Sequence, residues 1–260
     1  MAVQVIVMGA AGRMGSIIGK LVQEDKDMEL VAAVEKEESL SNINLKPNLI
    51  TSSLDKAASK YKEAVIIDFT YPEVTINNVQ VALKYHNKMV IGTTGLNEEQ
   101  MGFLEKSAAK IPILWAPNMS VGINVLFELM PKIVEMLGEL YDVEISEIHH
   151  KFKKDAPSGT AVKLAEILAR AKGFGKENLR YCRQGIIGER PKNEIGVQSL
   201  RGGDVVGDHT IYFFGPGERI EITHRAHSRE TFAQGAVRAA KWINDKRPGK
   251  LYSMKDVLLA

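Results

Sequence analysis

Cysteine is nearly absent: Cys182 is the only one in 260 residues, so no intrachain disulfide can form and no cysteine-based metal knuckle can be built. A surplus of one charge is lacking too, since 34 Lys and Arg stand against 32 Asp and Glu, a formal net charge of +2. With the signs interspersed there is no basic stripe to track phosphates or an anionic bilayer, which removes nucleic acid and membrane as expected partners and leaves small molecules. No stretch reaches the ~18 apolar residues of a membrane span, and the opening residues carry no basic region of a signal peptide. Together with the lone cysteine, this predicts a cytoplasmic protein. The 45% hydrophobic content excludes a disordered chain, and the length suits two ordinary domains.

What is present is rhythm. Short β-branched runs at 3–8, 30–34, 65–69, 89–92 and 113–115 read as strands, and the stretches 13–23, 73–85 and 98–110 between them have apolar residues at three- and four-residue spacing. That alternation is the pattern of a parallel sheet crossed over by helices. A helical stretch at 121–137 follows, after which strand-like segments dominate at 143–149, 195–200, 210–214 and 219–223, several alternating apolar with polar. A helix is expected over 161–172, an irregular loop over 173–193, and a last helix over 233–244, whose composition matches the first half. The expected organisation is a first domain of 1–120 plus 231–260 and a second of 121–230.

Directly after the first strand comes Gly9-Ala10-Ala11-Gly12-Arg13-Met14-Gly15, leading into a helix. Glycines in such a turn let backbone approach a pyrophosphate, and the helix N-terminus offers free N–H groups and a favourable dipole. Ala11 stands where the commoner fingerprint has its second glycine. An acidic residue is expected about 20 positions on, at the end of the second strand, to bond ribose hydroxyls; Glu35 is there. Lys36 beside it could attract a 2′-phosphate, so that the pair could tolerate both NADH and NADPH, or it could be an ordinary solvated surface lysine. Two further turns, Gly92-Thr93-Thr94-Gly95 and Ala116-Pro117-Asn118-Met119-Ser120, follow strands on the ligand-binding side of such sheets, although either could serve only as a helix cap. The fold class is therefore α/β: a Rossmann-type parallel-sheet dinucleotide domain with a second α+β domain on a mixed sheet.

The densest chemistry lies in 149–161, His-His-Lys-Phe-Lys-Lys-Asp-Ala-Pro-Ser-Gly-Thr-Ala. Neighbours on a strand point to opposite faces, so His149 and His150 are expected to differ in role. Ser158 is a plausible N-cap, leaving Gly159 and Thr160 to present N–H groups to an anion, with Lys153 near. From the residues alone, a solvated strand end with an ordinary cap competes with this reading. A metal site is the weaker alternative: His149 and His150 lack helical spacing, and His224 with His227 would need further ligands.

This segment, preceded by Glu147-Ile148, resembles the signature of the 4-hydroxy-tetrahydrodipicolinate reductases (dihydrodipicolinate reductases) of lysine and diaminopimelate biosynthesis. Supporting matches run through nearly the whole chain: the glycine turn, Asp68-Phe69-Thr70, Gly92 to Gly95, Asn118 to Gly122, Arg201-Gly202-Gly203-Asp204, Gly207-Asp208-His209 and His224-Arg225-Ala226. The resemblance implies hydride transfer from NADH or NADPH to the ring of a small cyclic dicarboxylate. It implies His149 as proton donor or acceptor, Lys153 as proton donor, and His150, Gly159 and Thr160 as binders of a substrate carboxylate. Cofactor contacts are implied at Gly9, Ala10, Ala11, Gly12, Arg13, Met14, Glu35, Lys36, Gly92, Thr93, Thr94, Ala116, Pro117, Asn118 and Met119, and no metal. Tyr71 departs from the basic residue that some members carry after Asp-Phe-Thr. A homotetramer formed through the second domain's sheet is also implied. The competing classes are another two-domain NAD(P)-dependent dehydrogenase and a non-catalytic nucleotide-binding sensor.

Overall fold

In the computed structural model, which describes residues 2–260, the elements run β1 (Val3–Met8), α1 (Arg13–Glu24), β2 (Met28–Val34), β3 (Ile50–Thr51), α2 (Leu54–Lys60), β4 (Val65–Asp68), α3 (Pro72–Tyr85), β5 (Lys88–Ile91), α4 (Glu98–Ala108) and β6 (Ile113–Trp115). There follow α5 (Val121–Leu137), β7 (Asp142–His149), α6 (Gly159–Ala171), β8 (Leu179–Arg180), β9 (Ile195–Arg201), β10 (Gly207–Gly215), β11 (Glu218–Ala226), α7 (Glu230–Ile243), β12 (Leu251–Tyr252) and α8 (Met254–Leu258). The chain divides into two units, 1–121 with 230–260, and 122–229.

The first unit is a seven-stranded sheet in the order β12-β6-β5-β4-β1-β2-β3, with every pairing parallel. Helices cover both faces, so the central strands cannot alternate: Val5, Ile6 and Val7 are all buried, as are Val65, Ile66 and Ile67. One face packs on Ile18 and Val22 of α1 and the alanines of α7, the other on Leu54 of α2, Val79 of α3 and Leu104 of α4. The strands run one way throughout, but the order in which the chain adds them reverses at β1, with β2 and β3 on one side and β4, β5 and β6 on the other. Beyond the C-terminal ends of these strands is where open α/β sheets bind ligands.

The second unit is a mixed sheet, β11-β10-β7-β9-β8, antiparallel across β11, β10 and β7 and parallel from β7 through β9 to β8. Its inner face, with Val143, Ile145, Val197, Ile211 and Phe213, packs on Ile123, Phe127 and Met130 of α5 and Leu164 and Leu168 of α6.

Several stretches differ from expectation, among them 251–258, where β12 and α8 lie beyond the last expected helix. Residues 36–64, for which the sequence pattern suggested no element, hold two 3-10 turns, β3 and α2. Residues 173–193 are not wholly irregular, since Leu179–Arg180 pairs with β9. The rest of that stretch is pinned by charge: Arg183 grips Glu144 with two bonds of 2.8 and 2.7 Å and Glu194 at 2.6 Å, and Arg190 reaches Asp142 at 2.7 Å. Such pairing between distant residues leaves no periodicity to read. β10 and β11 are also longer than expected, reaching Gly207 and Ala226. Among the described residues no helix is long and apolar enough to cross a membrane.

Helix α7 sits so close to the end of β6 that a Cβ on Gly235 would lie 1.7 Å from the Met119 carbonyl oxygen, whereas one on Gly102 in α4 would meet nothing within 4 Å. Gly235→Ala should therefore destabilise the protein by about 1–3 kcal/mol through overpacking. Gly102→Ala should stabilise it by about 0.5–1 kcal/mol through helix propensity. Denaturant unfolding of the two variants checks the pair.

Candidate active site

In the first unit the turn after β1 is shaped by backbone alone. Gly9 has φ +62°, a left-handed conformation that favours glycine, and a Cβ at Gly15 would lie 2.1 Å from the Gly9 oxygen. Gly12 is the N-cap of α1 and supplies no side-chain cap, so the first-turn N–H groups remain available to an anion. Glu35, at the end of β2, reaches back to this turn: its Oε2 accepts from Ala11 N at 3.1 Å and its Oε1 from Lys36 N at 2.8 Å. Arg13 and Lys36 are exposed and Met14 is half-buried.

Beneath the turn lies a polar network. Asp68 is fully buried, and its carboxyl accepts from Thr70 Oγ1 at 2.6 Å, Thr70 N at 2.9 Å and Asn78 Nδ2 at 2.8 Å. Burial pushes its pKa up, against the pull of these neutral donors. Thr93 Oγ1 accepts from Thr75 Oγ1 at 2.8 Å and Thr70 N at 3.2 Å, while its carbonyl accepts from Trp115 Nε1 at 3.0 Å. Thr93 is thus a buried brace, whereas Thr94 is exposed. Gly92, Ala10, Ala116 and Met119 are also buried, Pro117 is exposed and Asn118 is half-buried.

In the second unit, β7 ends at His149. The following residues are held by the turn after β9: Gly202 N donates to His149 O, His150 N to Val205 O and Lys151 N to Gly203 O, at 3.0, 2.8 and 3.2 Å. This is the structural work of Arg201-Gly202-Gly203-Asp204. His149 is buried and His150 half-buried, as expected of strand neighbours. Lys153 pairs with Asp155 at 2.9 Å. Ser158 caps α6, its Oγ accepting from Ala161 N at 3.2 Å. Gly159 is exposed and Thr160 half-buried, so the helix start is open to solvent.

Glu147 stands in the family signature, but the sequence pattern assigns it no role. It is 0% exposed, and its two oxygens are fully engaged: Oε2 accepts from His149 Nδ1 at 2.5 Å and Arg201 Nη1 at 2.9 Å, and Oε1 from Arg201 Nη2 at 2.8 Å and Ser158 N at 3.1 Å. Burial alone would raise its pKa, but the bonds from His149, Arg201, Ser199 and Ser158 outweigh it and hold the carboxyl well below the usual range. The signal lay in the strand alternation, because the face that carries Val143 and Ile145 must also carry Glu147 and His149. His209 completes the cluster, with Nε2 3.0 Å from Ser158 Oγ and its ring 5.2 Å from that of His149. Among the described residues no group of three or more His, Cys, Asp or Glu side chains has an arrangement that could hold a metal ion, and Cys182 is exposed.

A doubly wound parallel sheet with a backbone phosphate cradle, joined to a unit that sets a buried imidazole beside an open helix N-terminus, defines a nicotinamide-dinucleotide-dependent oxidoreductase. The comparisons narrow the class. Residues 3–119 match the family model for the dihydrodipicolinate reductase N-terminus and residues 122–258 that for its C-terminus, so the chain belongs to the dihydrodipicolinate reductase family. It is 51% identical over 259 residues to the 4-hydroxy-tetrahydrodipicolinate reductase of Oleidesulfovibrio alaskensis and 53% identical over 258 residues to that of Nitratidesulfovibrio vulgaris. Each alignment covers 99% of this chain and 100% of the relative. A dipicolinate-bound dihydrodipicolinate reductase from Paenisporosarcina sp. TG-14 superposes with a TM-score of 0.77 at 25% identity, covering 97% of this chain and 98% of that one. A myo-inositol dehydrogenase from Corynebacterium glutamicum, at 13% identity and a TM-score of 0.56 over 100% of this chain and 93% of that one, shares the fold alone.

Burial first, then the neighbouring His149, pushes the His209 pKa down from 6.5 to about 3. The folded state accepts only the neutral ring, while the unfolded chain protonates near 6.5. Its contribution is therefore full above pH 6.5 and is lost as pH falls from there toward about 3, at a slope of no more than about 1.4 kcal/mol per pH unit. Denaturant unfolding between pH 7 and pH 5 should show this decline. His209→Gln should flatten it without abolishing it, because burial also lowers the His224 pKa.

Proposed function

We propose that this protein reduces 4-hydroxy-tetrahydrodipicolinate to tetrahydrodipicolinate in lysine and diaminopimelate biosynthesis, using either NADH or NADPH. One observation carries the reading: Glu147 joins His149 to the capped start of α6, and Lys153, paired with Asp155, lies on the short segment between them, the equipment for holding a carboxylate while moving a proton. The net reaction releases the ring hydroxyl as water and adds one hydride and one proton. The reduced nicotinamide supplies the hydride.

Cofactor binding falls to the first unit. The turn from Gly9 through Ala10, Ala11, Gly12, Arg13 and Met14 would hold the pyrophosphate, Glu35 the adenosine ribose, and the strand-end turns Gly92 to Thr94 and Ala116 to Met119 the remainder. The fit rests on the positive φ of Gly9, the side-chain-free N-cap and the Glu35 carboxylate already turned toward Ala11 N. Lys36, exposed beside Glu35, would supply a positive charge to a 2′-phosphate of NADPH.

In the second unit, Gly159 and Thr160 offer backbone N–H groups, and His150 a ring, to a substrate carboxylate. His149 donates or accepts the proton, and Lys153 supplies positive charge and a proton where hydride arrival makes the ring electron-rich. Assembly as a cytoplasmic homotetramer through the outer face of the mixed sheet fits the exposed Leu200 and Phe214 there.

His149→Gln and Lys153→Ala should each lower kcat by ~10²–10⁴-fold, with NADH affinity by fluorescence titration near wild type. A variant that keeps full turnover, or loses cofactor binding in step with activity, would remove that residue from the mechanism. Lys36→Ala should lower kcat/KM for NADPH and spare NADH; an unchanged ratio would exclude Lys36 from cofactor choice.

A further inference from the structure

The reading of His149 as the proton-moving group leaves open which ring nitrogen works and what aims it. Glu147 answers both. Clamped by the two Arg201 nitrogens and buried, its carboxylate is ionised and can only accept, so the proton of a neutral His149 ring lies on Nδ1, 2.5 Å from Oε2. The other nitrogen, Nε2, lies over Gly207, where an added Cβ would stand 3.0 Å from it. The second carboxylate oxygen accepts from the backbone N–H of Ser158, the residue that caps α6. One buried side chain thus fixes the imidazole at one oxygen and the helix start at the other.

We propose that Glu147 is a positioning residue for the reaction: it locks His149 in the Nδ1–H tautomer, leaving Nε2 to take and return the proton, and registers that nitrogen against the carboxylate-holding start of α6. This rests on the activity proposed above. The principle is that of a carboxylate orienting a catalytic imidazole, a role distinct from touching the substrate.

The test has two arms. Long-range nitrogen–proton spectra of histidine-labelled wild-type protein, with His149 assigned through the His149→Gln variant, read the tautomer directly and need no substrate. They should show the His149 proton on Nδ1; a proton on Nε2 overturns the proposal, whatever the enzyme turns over. Failure of the proposed activity with the Nδ1–H tautomer present would leave the positioning geometry standing and sink only the substrate assignment. In the kinetic arm, Glu147→Gln keeps the size and removes the charge, and should lower kcat on the order of 10²-fold with cofactor affinity retained. In the His149→Gln background the same change should cost little more, because both act through one imidazole. Independent, multiplicative losses in the double variant would overturn the proposal by assigning Glu147 a general structural role. Should Gln at 147 prevent folding, the wild-type tautomer decides alone.

Discussion

A carboxylate cut off from water must find a donor for each lone pair and a counter-charge close by, or its burial costs several kcal/mol. Glu147 meets this demand with His149, Arg201 and the backbone of Ser158, and the second unit's site is arranged around the solution. The end of β7, the turn after β9 and the cap of α6 converge because each supplies one donor. Arg201 is held in turn by the Asp155 and Leu200 carbonyls, which ties the loop before α6 to the same centre. His209, packed against this centre, stays neutral chiefly because burial disfavours its charged form.

The first unit holds a buried carboxyl of the opposite kind. Asp68 has only neutral donors, Thr70 and Asn78, and burial raises its pKa. Two carboxyls without exposed surface thus shift in opposite directions: at Glu147 the bonds from His149 and Arg201 outweigh burial, whereas at Asp68 the neutral donors do not. The Asp68 network ties the end of β4 through Thr70 and Thr93 to the turn after β5. Rigid turns beneath a backbone cradle suit a ligand recognised mainly through N–H groups, where a small displacement of the loop would misplace the donors.

Much of this was legible in the sequence, for identifiable reasons. The central strands of the first unit are buried on both faces and read as unbroken apolar runs, and the glycine turn declares itself because φ +62° at Gly9 and the close packing at Gly15 restrict both positions. The chemistry of 149–160 was legible because imidazole, ammonium and a helix cap are each unusual together at that spacing. The two-residue strands β3, β8 and β12 were not, since they are too short for any period. Helix α2 escaped because its buried Leu54, Ala57 and Ala58 make a weak pattern in a polar stretch. The role of Glu147 escaped because a glutamate in an alternating strand is ordinarily taken as outward, although its register with Val143 and Ile145 placed it inward.

The proposed reaction can be followed in purified protein. The direct measurement supplies the purified protein with the hydroxylated cyclic product of pyruvate and aspartate semialdehyde condensation and follows reduced nicotinamide by absorbance. The proposed reaction consumes one NADH or NADPH for each substrate molecule converted to tetrahydrodipicolinate. Absence of oxidation with both cofactors, under conditions where both bind, would contradict it.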